Sequence, residues 1–530
     1  MSSHEPTDDA RQSAPDVLRI LAAVGVLALC WLLLMPPGSG PDEAGHLVRA
    51  GAVVRGDLGD ENFYALPDRY RVAEPGCYAF QPTVSAECSA VPVHTGATLD
   101  LATNAGPYPV WGHALFGAPT LLPGLDPIWW ARLVGAAAAA LVGLSFVRAT
   151  GVAPAAAVGL LMGITPMAWS TFGTVNPSSI VIAGAVALWT GLLLPDRPDR
   201  AIGVTATFPS AGWLTAVGWA ALVLPRRDGL VWACITLVIA LVATRRTFVE
   251  WWRPLTRVQQ VLIVAPTVVT MLWGALSDSR STQFVVIAPV FVLVAEGWRW
   301  WWRRPAQTPA TRFGASVALG ALGALAAFGL IGTRPGGWNT TLAIDIVMQT
   351  DDNLVEAIGV LGWLDTVVPA VVVDLWLVAF GMLVAAALAR RRYSAVIWAV
   401  TLAATIVVTS WVLELVQGNP SGLYWQGRYS IPLLVGVPLL LTSGMRRARE
   451  YPDLTLRVVG LLALVLLNVA AWSAARRFGV GTSGSYLPTR WDTTIQPVAP
   501  VILLTAHAAA TAWLAHLLMG VPRSPRTVER

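Results

Sequence analysis

Apolar runs of about 20 residues, each long enough to cross a bilayer, recur along this whole chain and restrict its fold more than anything else. In lipid every backbone polar group must be satisfied within the structure, which leaves helices or a closed barrel. The runs are too long and too unbroken for barrel strands. Composition agrees: of 530 residues, 55% are hydrophobic and only 13% charged, too few charges to cover a soluble surface of this size. The chain therefore reads as an all-α polytopic membrane protein.

A membrane-length window places spans near 17–35, 128–147, 153–172, 178–195, 202–224, 229–244, 258–276, 283–297, 313–332, 369–389, 394–415, 429–443, 455–474 and 497–519, about fourteen in all. The weakest is 202–224, interrupted by Thr205, Thr207, Pro209 and Ser210. Residues 108–123 are apolar but short and broken by prolines, which suits an interfacial or re-entrant helix. Acidic residues precede the first run and no A-x-A-like site follows it, so it reads as a retained helix and not a signal peptide.

All 36 basic residues are arginine, a pattern of GC-rich bacterial coding. They sit at helix ends and form no basic stripe, which sets nucleic-acid partners aside. With the N-terminus cytoplasmic, the inner connections collect Arg197/Arg200, Arg245/Arg246/Arg253/Arg257, Arg299/Arg303/Arg304, Arg390/Arg391/Arg392 and Arg446/Arg447/Arg449. The tail arginines 523, 526 and 530 join them, so both termini are expected inside a bacterial plasma membrane. The expected organisation is a cytoplasmic tail (1–16), a main transmembrane domain (17–445) and C-terminal helices (446–530). Large outer segments fall at 36–127 and 333–368, with a smaller outer loop at 476–496. Inner connections are short and no Walker-type loop occurs, so any chemistry belongs to the outer face.

Three constellations at outer helix ends bear chemistry. The first is Pro41-Asp42-Glu43-Ala44-Gly45-His46, where the first run stops. A helical turn there would put Asp42, His46 and Arg49 on one face, with Glu43 beside them. Such carboxylates could take a proton from a hydroxyl of a membrane-borne substrate, or simply favour a helix N-terminus. The second is Trp425-Gln426-Gly427-Arg428-Tyr429, whose arginine could grip a phosphate or merely anchor at the interface. The third, Gly359 to Asp365, offers the Trp363 ring face and the Asp365 carboxylate, or an ordinary interfacial cap.

Other residues leave the same choice open. Arg132, Arg226 and Arg227 could neutralise a lipid phosphate or anchor to headgroups, and Asp374 lies deeper in its span. His113, His507 and His516 are isolated in apolar surroundings and read as hydrogen-bonded core residues. Cys30 and Cys234 read as packing residues, whereas Cys77 and Cys88 could form a disulfide if their segment lies outside the cytoplasm. No His/Asp/Glu spacing reads as a metal site, though the acidic pair could hold a divalent cation or act without one.

Taken in order, four pieces resemble the bacterial multi-pass family catalogued as domain of unknown function 2142. They are Pro41 to His46; Thr165-Pro166-Met167 with Val175-Asn176-Pro177; Gly362-Trp363-Leu364-Asp365-Thr366; and Gln426-Gly427-Arg428-Tyr429 with Pro432. That family in turn resembles C-type glycosyltransferases, which use polyprenyl-phosphate sugars. The resemblance implies a glycosyltransferase C-like bundle with an acidic base in the first outer segment, here Asp42 with Glu43 as neighbour or substitute. The usual residue after the acidic pair is proline, and Ala44 replaces it, which touches loop stiffness and not the carboxylates. It further implies an inverting displacement from the lipid donor to a glycan or lipid acceptor. Arg428, with Arg132 or Arg226/Arg227, would meet the leaving phosphate, and Trp363 and Tyr429 would position sugar or prenyl chain. A flippase for lipid-linked glycans and a non-enzymatic envelope-assembly protein are the rival readings.

Overall fold

The computed structural model describes residues 14–72, 75–89, 92–196, 208–277, 292, 295–297, 340–417, 423, 425–445, 453–488, 491 and 496–519. The expected spans near 313–332 and, but for a few residues, 283–297 lie outside these, as do the arginines expected at 197–200, 299–304, 446–449 and 523–530. Seven described helices are long and apolar enough to cross a membrane: Ala14–Leu34, Pro127–Val152, Arg257–Ser277, Ala370–Ala389, Tyr393–Gln417, Leu454–Val480 and Pro500–Met519. An eighth candidate is a broken one, Pro154–Gly163 and Pro166–Phe172, bent by 77°. The expected runs at 178–195, 202–224, 229–244 and 429–443 become shorter apolar helices, Pro177–Leu193, Ala211–Val223, Gly229–Ala243 and Gly427–Thr442.

Proline and its neighbours explain where these helices begin. Pro127, Pro166 and Pro177 occupy first-turn positions, where the missing N–H costs nothing. Asp126, Thr165 and Asn176 precede them, and each side chain accepts a first-turn amide, at 3.2, 3.3 and 2.9 Å. Ser210 does the same for Trp213, so the interrupted run at 202–224 turns helical only from Ala211.

The fold is mostly helical, as expected, and the polar segments add two short antiparallel hairpins. Phe63–Pro67 pairs antiparallel with Thr98–Ala102, and Val360–Leu361 with Thr366–Val367. The first hairpin packs with the Glu43–Val53 helix into a small core of its own that includes Leu47, Tyr64, Leu66, Tyr70 and Phe116. Gly117 lets this core close, because a Cβ there would meet the Ala50 carbonyl oxygen at 2.3 Å. Residues 110–117 are indeed helical, as the 108–123 stretch suggested. Cys77 and Cys88 are joined, and Cys30 and Cys234 are free and buried.

A clamp with no local sequence signature ties this segment down. Arg477, fully buried near the end of the Leu454–Val480 helix, donates to the carbonyls of Tyr78 (2.8 Å) and Val84 (2.5 Å) on the disulfide loop. It also reaches Asp365 at 3.0 Å and the Thr366 hydroxyl at 3.1 Å. One guanidinium thus joins the disulfide loop, the second hairpin and a late helix.

Candidate active site

The adjacent carboxylates of the opening motif go to different places. Glu43, fully buried, accepts from Arg132 Nε (2.8 Å) and Val175 N (2.9 Å) on Oε1, and from Arg132 Nη2 (2.7 Å) and Gly38 N (2.9 Å) on Oε2. Arg132 spends its remaining donors on the carbonyls of Leu32, Met35 and Pro36. This forked pair welds the end of the Ala14–Leu34 helix to the Pro127–Val152 helix and the turn before Pro177. Neither partner keeps a free group for a substrate, which corrects the expectation for both. A salt bridge this dry survives only because every donor and acceptor is matched.

Asp42 does the opposite. It precedes the Glu43–Val53 helix with φ 61° and ψ 8°, a left-handed conformation that Asp tolerates better than most residues. Its side chain keeps 30% exposure. Oδ1 accepts from Asn104 Nδ2 at 2.7 Å, and Oδ2 lies 3.4 Å from Arg428 Nη2. Asn104 arrives by hairpin register: with Phe63 opposite Ala102, the chain returns past Asn62, and Thr103 bonds the Gly45 carbonyl at 2.8 Å. No short motif signals Asn104; only the pairing of Phe63–Pro67 with Thr98–Ala102 does.

Arg428 is held by close backbone packing. Gly427 lies against the Thr350–Gly359 helix, where a Cβ would meet the Asn353 carbonyl oxygen at 2.1 Å. Gly427 N donates to Glu356 at 2.7 Å, a carboxyl that burial pushes upward. Arg428 is 3% exposed, and its Nε, like Gln426 Oε1, is buried without a partner. The guanidinium borders a narrow recess that Gly40, Pro41, Thr174, Asn176 and Gly362 also line.

Around this pair the side chains form a continuous ring. Arg428 lies over Tyr429 at 5.3 Å, and Arg226 lies over the same ring at 4.5 Å. Arg226 also covers Tyr108 at 5.5 Å, pairs with Asp228 at 2.9 Å and donates to Ser178 Oγ at 3.2 Å. Tyr108 meets His46 edge-on at 5.2 Å, and His46 Nδ1 lies 3.1 Å from His113 Nε2. Burial and then the fields of Arg428 and Arg226 push His46 down to about 3, so it is neutral. Burial also pushes the Tyr108 hydroxyl up to about 12, leaving it a donor.

The structure therefore brings together Asp42, His46, Arg226, Arg428 and Tyr429 of the expected set, with Asn176 on the recess wall. It separates the others. Arg49 turns away from Asp42 to Tyr64 Oη (2.5 Å) and the Leu58 carbonyl, inside the hairpin's own core. Arg227 caps the Pro107 carbonyl. Asp365 is taken by Arg477, and Trp363 donates to the Gly38 carbonyl at 3.0 Å, bracing the loop behind Asp42. A divalent cation does not fit here. Asp42 faces a guanidinium, Glu43 is saturated, and among the described residues no group of three His, Cys, Asp or Glu could hold a metal.

Residues 26–437 match the family described as a predicted membrane protein, DUF2142. The chain belongs to this family. It is also similar to solved structures of ArnT from Cupriavidus metallidurans. In the apo state the identity is 15% and the TM-score 0.39, over 95% of this chain and 77% of that one. Bound to undecaprenyl phosphate, the values are 14%, 0.40, 96% and 78%. The archaeal oligosaccharyltransferase AglB from Archaeoglobus fulgidus, in complex with an inhibitory peptide and a dolichol-phosphate, is similar at 12% identity and TM-score 0.39, over 96% of this chain and 56% of that one. No curated protein matches the chain.

Proposed function

We propose that this protein transfers a sugar from a polyprenyl-phosphate donor to a glycan or lipid acceptor of the cell envelope, with inversion at the anomeric carbon. In this reading both termini are cytoplasmic, about fourteen helices span the membrane, and the recess opens on the outer face. Asp42 takes the proton of the acceptor hydroxyl as that oxygen attacks the anomeric carbon. Arg428, seconded by Arg226, meets the charge that develops on the departing lipid phosphate. Asn104 holds Asp42 by one oxygen, leaving the other for the proton. Glu43 and Arg132 set the loop geometry and touch no substrate.

One observation carries the reading: a part-exposed carboxylate 3.4 Å from a buried arginine that has an unused N–H and borders a recess. That combination supplies a base and an anion site side by side. The motifs' resemblance to C-type glycosyltransferases points the same way. The test is a strain lacking the protein, analysed for envelope glycan linkages and complemented with either wild type or Asp42→Asn. Loss of one linkage, restored by wild type only, supports the proposal. Full restoration by Asp42→Asn removes its central residue, and an unchanged glycan profile in the deletion strain removes the activity.

A further inference from the structure

The two buried histidines beside the candidate site form a directional pair. A carbonyl can only accept, so the contact of His113 Nδ1 with the Pro109 carbonyl at 3.3 Å places the His113 proton on Nδ1. His113 Nε2 then carries a lone pair and must accept at 3.1 Å from His46 Nδ1–H. That leaves the His46 lone pair on Nε2. Among the described residues no donor bonds this atom, and it is not one of the side-chain atoms sealed from solvent without a partner.

We propose that His113 is a positioning residue that fixes His46 in its Nδ1–H tautomer, so that His46 Nε2 accepts a hydrogen bond from a hydroxyl of the donor's sugar ring. This rests on the glycosyl-transfer reading and names what the same site recognises. The surroundings select the ligand chemistry. The charged and titratable groups facing the pair are Arg226, Arg428, Asp42, Tyr108 and, on the His113 side, Arg49. Burial, and then the two guanidiniums nearby, keep His46 unprotonated, and the guanidiniums repel an ammonium group, so a neutral O–H is the donor that fits. A sugar joined to a phosphate offers both features at once: an anion for the arginines and a neighbouring hydroxyl for the imidazole.

Nitrogen-15 NMR of the full-length protein in lipid nanodiscs, labelled at histidine and assigned with His46→Asn and His113→Gln, reads the tautomers directly. Both histidines should hold their proton on Nδ1 and show a bare Nε2. Adding undecaprenyl-phosphate hexoses or pentoses should shift His46 Nε2, whereas undecaprenyl phosphate alone should not. His113→Gln, whose Oε1 can accept the same bond, should keep the His46 tautomer. His113→Phe should release it and lower kcat/KM for transfer by about tenfold. A wild-type His46 protonated on Nε2, or an equal shift with the sugar-free lipid, overturns the inference. Sugar transfer that proceeds with His46 Nε2 unmoved sinks this inference alone. No transfer from any donor, with the tautomers as stated, sinks the enzyme reading instead.

Discussion

Asp42 and Glu43 are neighbours in sequence, each faces an arginine, and they live in opposite environments. Glu43 and Arg132 have no exposed side-chain surface and meet at 2.7 Å through a double fork. Asp42 meets Arg428 at 3.4 Å through one contact and keeps nearly a third of its side chain exposed. The first pair is saturated on both sides. In the second, Asp42 has a single companion donor from Asn104, and Arg428 retains an unused Nε–H. A matched ion pair in a dry interior is structural material. A loosely matched one, set in a left-handed turn beside a recess, is arranged for a visitor.

That contrast can be broken most forcefully from the structural side. Arg132→Met should leave the Glu43 carboxylate buried with backbone donors but no counter-charge, costing about 3–5 kcal/mol and lowering the thermal midpoint of the detergent-solubilised protein by many degrees. A shift no larger than that of Asp42→Asn would erase the distinction. Asp42→Asn should do the reverse. Asparagine tolerates the left-handed turn and keeps an oxygen toward Arg428, so stability should change by less than about 1 kcal/mol. Sugar transfer by the same variant should fall by about a hundredfold or more, the share usual for a general base.

Acid provides a third probe of intermediate size. His46 is held down to about 3 by burial and by Arg428 and Arg226, while the unfolded chain protonates it near the ordinary value of about 6.5. Below that value the unfolded state binds the extra proton, so stability is complete above it and declines as the pH falls. The loss should reach about 2 kcal/mol at pH 5 for His46, and His113 shifts in the same direction. A thermal midpoint that stays flat from pH 7 to 5 would contradict this placement. The smallest effect should come from Asn104→Ala, which frees one Asp42 oxygen and should lower transfer only about tenfold. If its loss equals that of Asp42→Asn, Asn104 is more than a brace.

Much of the bundle was legible in sequence because lipid-length apolar runs have few alternative structures. The helices that begin at Pro127 and Pro177 start within a residue of the expected spans, whereas the break at Thr165-Pro166 inside the expected 153–172 span was not foreseen. Asp42, Arg428, Tyr429 and Arg226 stood out as polar groups at helix ends. Which of two adjacent acids would be sealed was not legible, since that depends on Arg132 arriving from a helix that begins at Pro127. The place of Arg49 was not legible for a related reason: helical spacing puts it on one face of its helix with Asp42, but the Phe63–Pro67 strand supplies Tyr64 to draw it away. Asn104 and Arg477 depend on a strand register and on a contact across 399 residues, neither of which leaves a local trace.

The guanidinium of Arg477 also imposes a schedule on biosynthesis. Tyr78 and Val84 leave the ribosome hundreds of residues before the arginine that fastens them, and that arginine lies beyond the segment shared with the family, 26–437. The disulfide loop must therefore wait, unfastened, until the Leu454–Val480 helix has been made. A chain shortened to the shared segment would carry every residue of the candidate site and still lack the rivet that holds its first polar segment shut.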